Sequence, residues 1–324
     1  MHRKLLIVGA AAALLILGRF ALRPTEAATP NASAAASGDC DRACLNGFVD
    51  NYLAALVAHG PSKLPLAKNV RYTENGQTLK LGDGMWGVAN GLGDYKLYFD
   101  DPQGGQVGFM GVIKENDHPQ ITALRLKIEK GKISEIETII ARSGGPNSQG
   151  KPEGLVDKPI FSEAVPPAER RSRSEMISIA NSYFEGLNQA TGKITPFDPN
   201  CQRIENGNIT ANNPNGRGIA KLSCGAQFDT GFSPFIKVRA APDRRFPVVD
   251  EERGLVYAII EFDHAGTVRE IKETDGTILH VPPPFDTPYT FLIGELFKIQ
   301  NGKIMRVEAV LLPVPFRMPS GWAK

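Results

Sequence analysis

The 324-residue sequence has almost no excess of charge of one sign, with 37 Lys and Arg against 35 Asp and Glu and a net charge of +2. A surface that neutralises a run of phosphates needs a basic excess, so nucleic acid is not an expected partner. The Gly-x-Ser-x-Gly, P-loop and His-Glu-x-x-His motifs are absent. The sequence therefore has no signature of a serine hydrolase, a P-loop nucleotide-binding protein or a zinc protease of these classes. With 33 Gly and 24 Pro, turns are frequent and long helical bundles are not expected.

Cysteine is scarce, and its spacing does not indicate a metal site. None of the five histidines stands at zinc-ligand spacing from a cysteine, and Cys40 and Cys44 are one residue too far apart for a Cys-x-x-Cys redox motif. One helical turn would bring Cys40 and Cys44 within disulfide distance, which leaves Cys201 to pair with Cys224. We therefore expect two disulfides, no metal and an oxidising compartment.

One glycine-rich segment, residues 82–87, matches Gly-x-Gly-x-x-Gly, and Asp101 follows about 20 residues after its start. A dinucleotide site requires a helix directly after these glycines, but Asn90, Gly91 and Gly93 interrupt any helical pattern there. We reject a nicotinamide cofactor and expect no cofactor of any kind. The same glycines are better suited to a loop at the mouth of a cavity.

The amino terminus has the pattern of an export signal. A basic start at residues 2–4 precedes an apolar run at residues 5–18, shorter than the roughly 20 residues of a membrane span. Small residues and prolines dominate residues 24–38, as in a cleavage region and flexible spacer. We predict a periplasmic or secreted protein. The alternative is an uncleaved anchor, since residues 20–22 would extend the apolar run.

The chain contains an internal repeat. Residues 47–76 align without a gap on residues 178–207, and both segments end in Glu-Asn-Gly. Residues 126–140 align on residues 297–311 around a shared Gly-Lys-Ile. Between these matches the second copy is about forty residues longer. The chain therefore consists of two related domains.

Each copy has the same predicted elements. Apolar residues follow helical spacing over residues 45–58 and again over residues 176–187, and strand-like segments with tight hairpin connections follow both helices. Helices followed by a meandering antiparallel sheet indicate an α+β fold. We predict a signal peptide and spacer at 1–38, a first domain at 39–142, a linker at 143–173, and a second domain with an insertion and a C-terminal tail at 174–324.

These elements resemble the SnoaL-like branch of the NTF2-like superfamily. The resemblance rests on the opening helix, Ala-His-Gly-Pro at 58–61, Val-Arg-Tyr-Thr-Glu-Asn-Gly at 70–76, and the final strands around Gly-Lys-Ile. It covers residues 40–142 well and residues 175–316 more loosely. It implies two tandem cones, each a bent antiparallel sheet wrapped around a helix and enclosing an apolar cavity. The superfamily includes isomerases, dehydratases, cyclases and non-catalytic binding domains, so the resemblance implies a pocket but no single reaction.

The repeated Glu-Asn-Gly supplies the catalytic candidates, Glu74 and Glu205. A carboxylate that faces an apolar cavity has its pKa raised by desolvation, which suits a general base. The simpler interpretation is a hairpin turn at Asn-Gly with the glutamate facing solvent. Both interpretations stay open at the level of sequence.

Aromatic and basic side chains supply the substrate-binding candidates, because aromatic rings stack on ligands and Tyr or Arg stabilises a developing oxyanion. Core packing is the alternative fate of each. By contrast, His264 lies in a polar Asp-His-Ala-Gly segment, and we expect it at the surface. The substrate-binding candidates are Tyr72, Trp86, Tyr95, Arg125, Tyr257 and Tyr289.

Three functions fit these observations. The first is a cofactor-independent lyase or isomerase that acts on a small apolar or aromatic substrate by general-base catalysis. The second is an exported binding protein for a hydrophobic small molecule. The third is an assembly module whose sheet faces pair with another chain, and a homo-oligomer is compatible with all three. No membrane contact is expected beyond the signal segment.

Overall fold

The computed structural model describes residues 40–143 and 150–322. The predicted signal peptide and spacer, and residues 144–149 of the predicted linker, lie outside the described residues. No helix in the described ranges is long and apolar enough to cross a membrane.

The first domain opens with helix α1, Arg42–Val57, because the Asp41 side chain accepts the Cys44 N–H at 2.9 Å and caps the first turn. Its apolar face, with Leu45, Val49 and Leu53, is buried against the sheet. The strands are β1 Leu66–Glu74, β2 Gln77–Thr78, β3 Ala89–Asp101, β4 Gln106–Glu115, β5 His118–Glu129 and β6 Lys132–Ala141.

These strands form one sheet in the order β2-β1-β6-β5-β4-β3, with β1 parallel to β6 and every other neighbour antiparallel. Pairing between β3 and β4 is irregular between Leu92 and Lys96, and such bulges bend a strand. The bent sheet presents its inner face to α1.

The second domain repeats this arrangement. Helix α2, Arg173–Gln189, begins with a capping box between Ser172 and Glu175. The other elements are β7 Phe197–Glu205, β8 Asn208–Ala211, α3 Cys224–Asp229, β9 Lys237–Val238, β10 Arg245–Asp250, β11 Leu255–His264, β12 Glu270–Lys272, β13 Ile278–His280, β14 Tyr289–Gln300 and β15 Lys303–Val314.

The main strands of the second sheet have the order β10-β11-β14-β15-β7-β8, again with one parallel pair, β7 and β15. This is the order of the first sheet, strand for strand. The additional length of the second copy forms two insertions, residues 212–244 between β8 and β10 and residues 265–288 between β11 and β14. The α+β class and the two tandem copies are confirmed.

The two sheets pack back to back. Their outer faces share one hydrophobic core, to which Phe99, Met110 and Ile139 contribute from the first domain and Tyr257 and Leu296 from the second. Each inner face forms a separate core with its own helix. The described chain is therefore layered as helix, sheet, sheet and helix.

Charged side chains connect the domains at the edges of this shared core. Buried Glu137 of β6 accepts hydrogen bonds from Arg125 at 2.9 Å and from Arg245 of the second domain at 2.6 Å. Arg42 of α1 binds Asp250 at 2.6 Å. Since both links tie residues of one domain to the other, they fix the relative position of the sheets.

The C-terminal segment after β15 returns to the first domain. The Trp322 indole donates to Thr73 Oγ1 at 2.9 Å, and the guanidinium carbon of Arg71 lies 4.2 Å from the Trp322 ring centroid. The Gly321 carbonyl accepts a hydrogen bond from Arg71. The tail therefore packs against β1 and joins the two domains once more.

Both predicted disulfides are present. Cys40 pairs with Cys44 across the first turn of α1, with Cα atoms 5.3 Å apart, and Cys201 of β7 pairs with Cys224 of α3, with Cα atoms 5.8 Å apart. The second bridge anchors the first insertion to the sheet. Two disulfides fit an oxidising compartment.

Candidate functional site

The second domain encloses a cavity of about 410 Å³ between α2, the inner face of its sheet and the two insertions. Ile209 and Ile219 line it and are also exposed, each at 38%. The entrance therefore lies between β8 and the first insertion. Within the described ranges, no three His, Cys, Asp or Glu side chains lie close enough to hold a metal ion.

Most of the cavity wall is apolar. Strands β11 and β14 contribute Phe262 and Phe291, whose side chains alternate onto the inner face of the sheet. The two insertions close the other side, with Phe232, Phe235 and Ile236 from the first and Leu279, Pro282 and Phe285 from the second. The insertions thus convert an open concave sheet into an enclosed pocket.

One end of the cavity is polar and is built around Arg203. Its guanidinium lies 3.1 Å from Glu205 and donates to the Tyr183 hydroxyl at 3.3 Å and to Gln227 Oε1 at 2.6 Å. Burial would lower the pKa of Arg203, but Tyr183 and Glu205 raise it, so the side chain stays cationic. Glu205 keeps 34% of its side chain exposed and lines the cavity. The site therefore presents a fixed cation beside an accessible carboxylate.

Glu295 lies on β14 beneath this pair. It receives a hydrogen bond from the Tyr183 hydroxyl, and its Oε2 has no partner in the described part of the chain. Burial, followed by the nearby Glu205, raises the pKa of Glu295 to about 8. The raised pKa favours the neutral form of the Glu295 carboxyl.

The first domain has the same residue type at two of the three positions that match this site in the repeat. Tyr52 matches Tyr183, Tyr72 stands opposite Arg203, and Glu74 matches Glu205. Only Arg203 therefore has no counterpart of the same type. Glu74 accepts hydrogen bonds from Tyr72 at 3.0 Å, from the Met85 N–H at 2.7 Å and from Arg142 at 2.8 Å. Buried Met85 and Trp86 fill the inner core around these residues. The first domain thus holds its carboxylate within a packed interior.

The Asn-Gly turn that the simpler interpretation predicts is present in both copies, but its solvent-facing glutamate is not. Asn75 and Gly76, like Asn206 and Gly207, have positive φ and form the tight turns between β1 and β2 and between β7 and β8. The preceding glutamate in each copy nevertheless points to the inside of its domain. The turn itself fixes where that carboxylate lies.

The other predicted binding residues lie apart from the cavity. Tyr95 and Tyr257 belong to the core between the sheets, and Tyr95 donates to Glu308 of the second domain. Arg125 binds Glu135 and Glu137 at 2.8 and 2.9 Å in the interdomain network. Tyr289 packs beside the cavity, where its ring stacks on His264.

The expectation that His264 lies at the surface is wrong. The residue is 1% exposed and lines the cavity. The second insertion brings Phe285 against the His264 ring, so His264 is buried while the next residue, Ala265, stays exposed. Sequence reasoning also missed Arg203, Tyr183 and Glu295. The repeat alignment contained the one usable indication, since it places Arg203 opposite Tyr72, a change from a phenol to a cation beside the repeated glutamate.

A family described as "Domain of unknown function (DUF8021)" matches residues 169–311, which lie within the second domain and its approach. No curated protein matches the sequence. The chain is similar in structure to an NTF2-like protein of unknown function from Cytophaga hutchinsonii, at 14% identity over 30% of this chain and 88% of that chain, with a TM-score of 0.22.

Two further solved structures are similar to one domain's length of the chain. AusH from Aspergillus nidulans shares 13% identity over 44% of this chain and 86% of that chain, with a TM-score of 0.28. A protein with a cystatin-like fold from Methylobium petroleophilum shares 16% identity over 46% and 82%, with a TM-score of 0.26. With TM-scores of 0.22 to 0.28, these likenesses carry no argument about family or activity.

Proposed function

We propose that this protein is exported and binds a small, mostly apolar or aromatic molecule in the cavity of the second domain. The observation that carries the proposal is the Arg203–Glu205 pair at one end of an otherwise apolar cavity of about 410 Å³. Small-molecule sites combine apolar walls with a few fixed polar groups that orient the ligand. The two disulfides and the N-terminal pattern support export.

The polar end of the cavity determines which chemical group of the ligand binds there. Arg203 is already held by Gln227, Tyr183 and Thr210, so little side-chain entropy is lost on binding. A carbonyl, carboxylate or hydroxyl oxygen of the ligand accepts from the guanidinium, and a ligand hydroxyl donates to Glu205. The expected ligand therefore has an oxygen at the end that contacts Arg203.

Catalysis is the second candidate, and the placement of Glu205 favours it. A carboxylate on the cavity wall removes a proton next to a carbonyl, while neighbouring Arg203 stabilises the negative charge that develops on the carbonyl oxygen. Such a lyase or isomerase needs no cofactor. An assembly module has less support, because the outer sheet faces that it would offer are already packed against each other.

The test is a melting-temperature screen of the full chain against small aromatic, steroid-like and sugar-acid compounds, followed by calorimetry and product analysis for each hit. Arg203→Met should weaken binding at least tenfold. Glu205→Gln should abolish turnover but retain binding if the protein is an enzyme. Glu74→Gln, at the matching position of the first domain, is the control and should leave the ligand affinity unchanged. If no compound raises the melting temperature, the proposal fails.

A further inference from the structure

The entrance of the cavity is bordered by exposed apolar side chains. Seven large apolar side chains in the described ranges are at least 36% exposed, and three of them, Ile209, Ile219 and Leu222, belong to β8 and the adjoining part of the first insertion. Ile209 and Ile219 also line the cavity. Exposed apolar side chains that gather around a pocket, rather than scatter singly, are typical of a contact surface.

Hydrogen bonds hold this border in a fixed position. The Asn212 N–H, directly after β8, donates to the Leu222 carbonyl at 2.8 Å. The Gln227 amide donates to the Ile219 carbonyl at 2.6 Å, and its Oε1 accepts from Arg203 at 2.6 Å. The exposed side chains are therefore presented by backbone that is bonded to β8 and to the polar end of the cavity.

The same segment is basic. Arg217 and Lys221 stand two residues on either side of Ile219 and are exposed, and no Asp or Glu occurs in residues 206–228. The second insertion, residues 265–288, also lines the cavity but has four Asp and Glu against two Lys and Arg. Positive charge is therefore concentrated on the side of the first insertion. We define the entrance rim as Ile209, Arg217, Ile219, Lys221 and Leu222.

We propose that the entrance rim docks on an anionic phospholipid surface. Apolar side chains that enter the acyl boundary, together with basic side chains that contact lipid phosphates, bind such surfaces. The inference rests in part on the proposed function, because an apolar ligand then passes between cavity and membrane without crossing water, which favours lipid over an acidic protein. It adds a membrane contact beyond the predicted signal segment.

A second copy of the chain fits the entrance rim less well. Two copies that pair symmetrically present the same patch to each other. The contact would bring the cations Arg217 and Lys221 of both rims together, and like charges that face each other across an interface oppose association. An anionic lipid surface has the complementary charge.

The test places a tryptophan on the rim and measures whether lipid reaches it. Ile219→Trp and its control Ile278→Trp make the same change at exposed positions, 38% and 49%, and Ile278 lies on the acidic second insertion. Each full-length protein is mixed, without ligand, with vesicles of phosphatidylglycerol or phosphatidylcholine that carry bromine on their acyl chains. Bromine quenches an indole that enters the acyl region. Emission of the native Trp86 and Trp322, both buried, is subtracted by means of the parent protein.

The readout is local because the apolar run at residues 5–18 can attach the full chain to any vesicle. The introduced indole of Ile219→Trp should be quenched on phosphatidylglycerol but not on phosphatidylcholine, whereas that of Ile278→Trp should be quenched on neither. Lys221→Gln, added to Ile219→Trp, should lower the ratio of quenched to unquenched indole about fivefold, as expected for one cation at an anionic surface. Added salt should act in the same direction.

Three results would overturn the proposal. They are equal quenching at positions 219 and 278, no quenching of Ile219→Trp on phosphatidylglycerol, and equal quenching of Ile219→Trp on both lipids. A change in Ile219→Trp emission that follows protein concentration without lipid would also overturn it and would assign the rim to a contact between two copies. Since the vesicles contain no ligand, quenching that persists while the melting-temperature screen finds no ligand removes the proposed function alone.

Discussion

The Trp86 indole donates to the Tyr52 hydroxyl at 3.1 Å, and the two rings meet edge to face with centroids 5.2 Å apart. The equivalent of Tyr52 in the second domain is Tyr183, whose hydroxyl instead receives a hydrogen bond from Arg203 at the polar end of the cavity. Trp86 stands on the short connection between β2 and β3, which the first insertion replaces in the second domain. One repeat position thus supports a packed core in one copy and a binding site in the other.

Truncation of Trp86 should destabilise the protein without affecting the ligand site. Trp86→Ala leaves a large cavity in the first domain, and we expect a loss of about 3–5 kcal/mol in the free energy of unfolding, measured in urea. Trp86→Phe keeps most of the ring and should cost clearly less. Ligand affinity of the folded Trp86→Ala protein should equal that of the parent. A large loss of affinity would place the ligand in the first domain.

Neutralisation of Glu137 should loosen the contact between the domains. Burial would raise the pKa of Glu137, but Arg245 and Arg125 outweigh it and lower the pKa, so the carboxylate is ionised. Glu137→Gln leaves Arg245 without its anion and leaves buried Arg125 with only Glu135 of its two carboxylate partners, and we expect a loss of about 3–5 kcal/mol at pH 7. The control is Glu135→Gln, which also removes a partner of Arg125 but at a more exposed position, and should cost less than about 1 kcal/mol.

The stabilising effect of Glu137 should depend on pH. Because the folded pKa of Glu137 lies below its unfolded pKa, its contribution is present above the unfolded pKa and is lost as pH falls through the folded pKa. The difference in melting temperature between parent and Glu137→Gln should therefore shrink under acid conditions. A difference that stays constant with pH would contradict the ionised state of Glu137.

The two disulfides should differ in their contribution to stability. Cys201–Cys224 closes a loop of sequence separation 23, whereas Cys40–Cys44 closes one of separation 4. Loop-closure entropy predicts about 3 kcal/mol for the first and about 2 kcal/mol for the second. Replacement of both cysteines of each pair by alanine, followed by denaturant unfolding, checks this order. Loss of Cys201–Cys224 should also weaken ligand binding, because this bridge anchors the insertion that forms the entrance.

A glutamate in the second domain should make the protein less stable as pH rises. Both carboxyl oxygens of Glu261 lack a partner in the described chain, and burial, followed by the neighbouring Asp243, raises its pKa from 4.5 to about 8. The folded state therefore holds a proton that the unfolded state has lost between these pH values, and stability falls across that window. Arg239 and Arg245 favour the ionised form and limit the rise.

Glu261→Gln removes this dependence. Its melting temperature should match the parent near pH 4.5 and exceed it by at least 2–4 °C at pH 8. Exposed Glu153→Gln is the control, and it should have no such pH-dependent effect. Glu295 titrates in the same direction but is unchanged between parent and variant, so the comparison isolates Glu261. Equal melting temperatures at pH 8 would show that Glu261 is ionised in the folded protein.

The repeat and the turns could be predicted from the sequence because they depend on local chemistry. Asn75 and Asn206 each adopt positive φ and also bond the neighbouring parallel strand, since their side chains pair with the backbone of Ile140 and Leu311 respectively. Few residues can do both, so the motif survives in both copies. The same motif led to Glu205, the one predicted site residue that lines the cavity.

The rest of the site depends on contacts that no local pattern encodes. Tyr95 and Tyr257 are aromatic, like many residues that contact ligands. The back-to-back packing of the sheets nevertheless buries both of them between the domains. His264 has polar neighbours in sequence, and only the return of the second insertion encloses it. Arg203 stands opposite Tyr72 in the repeat, so residues that match between the copies do not include it, although the polar end of the cavity is built around it.

The shared core between the sheets also has a consequence for how the two copies can change. In a symmetric homodimer every substitution occurs twice, so a residue that closes one pocket closes the other. Here the two halves of the pair are encoded separately, and their outer faces pack together in one shared core. A side chain that fills the interior of the first copy therefore leaves the pocket of the second copy open.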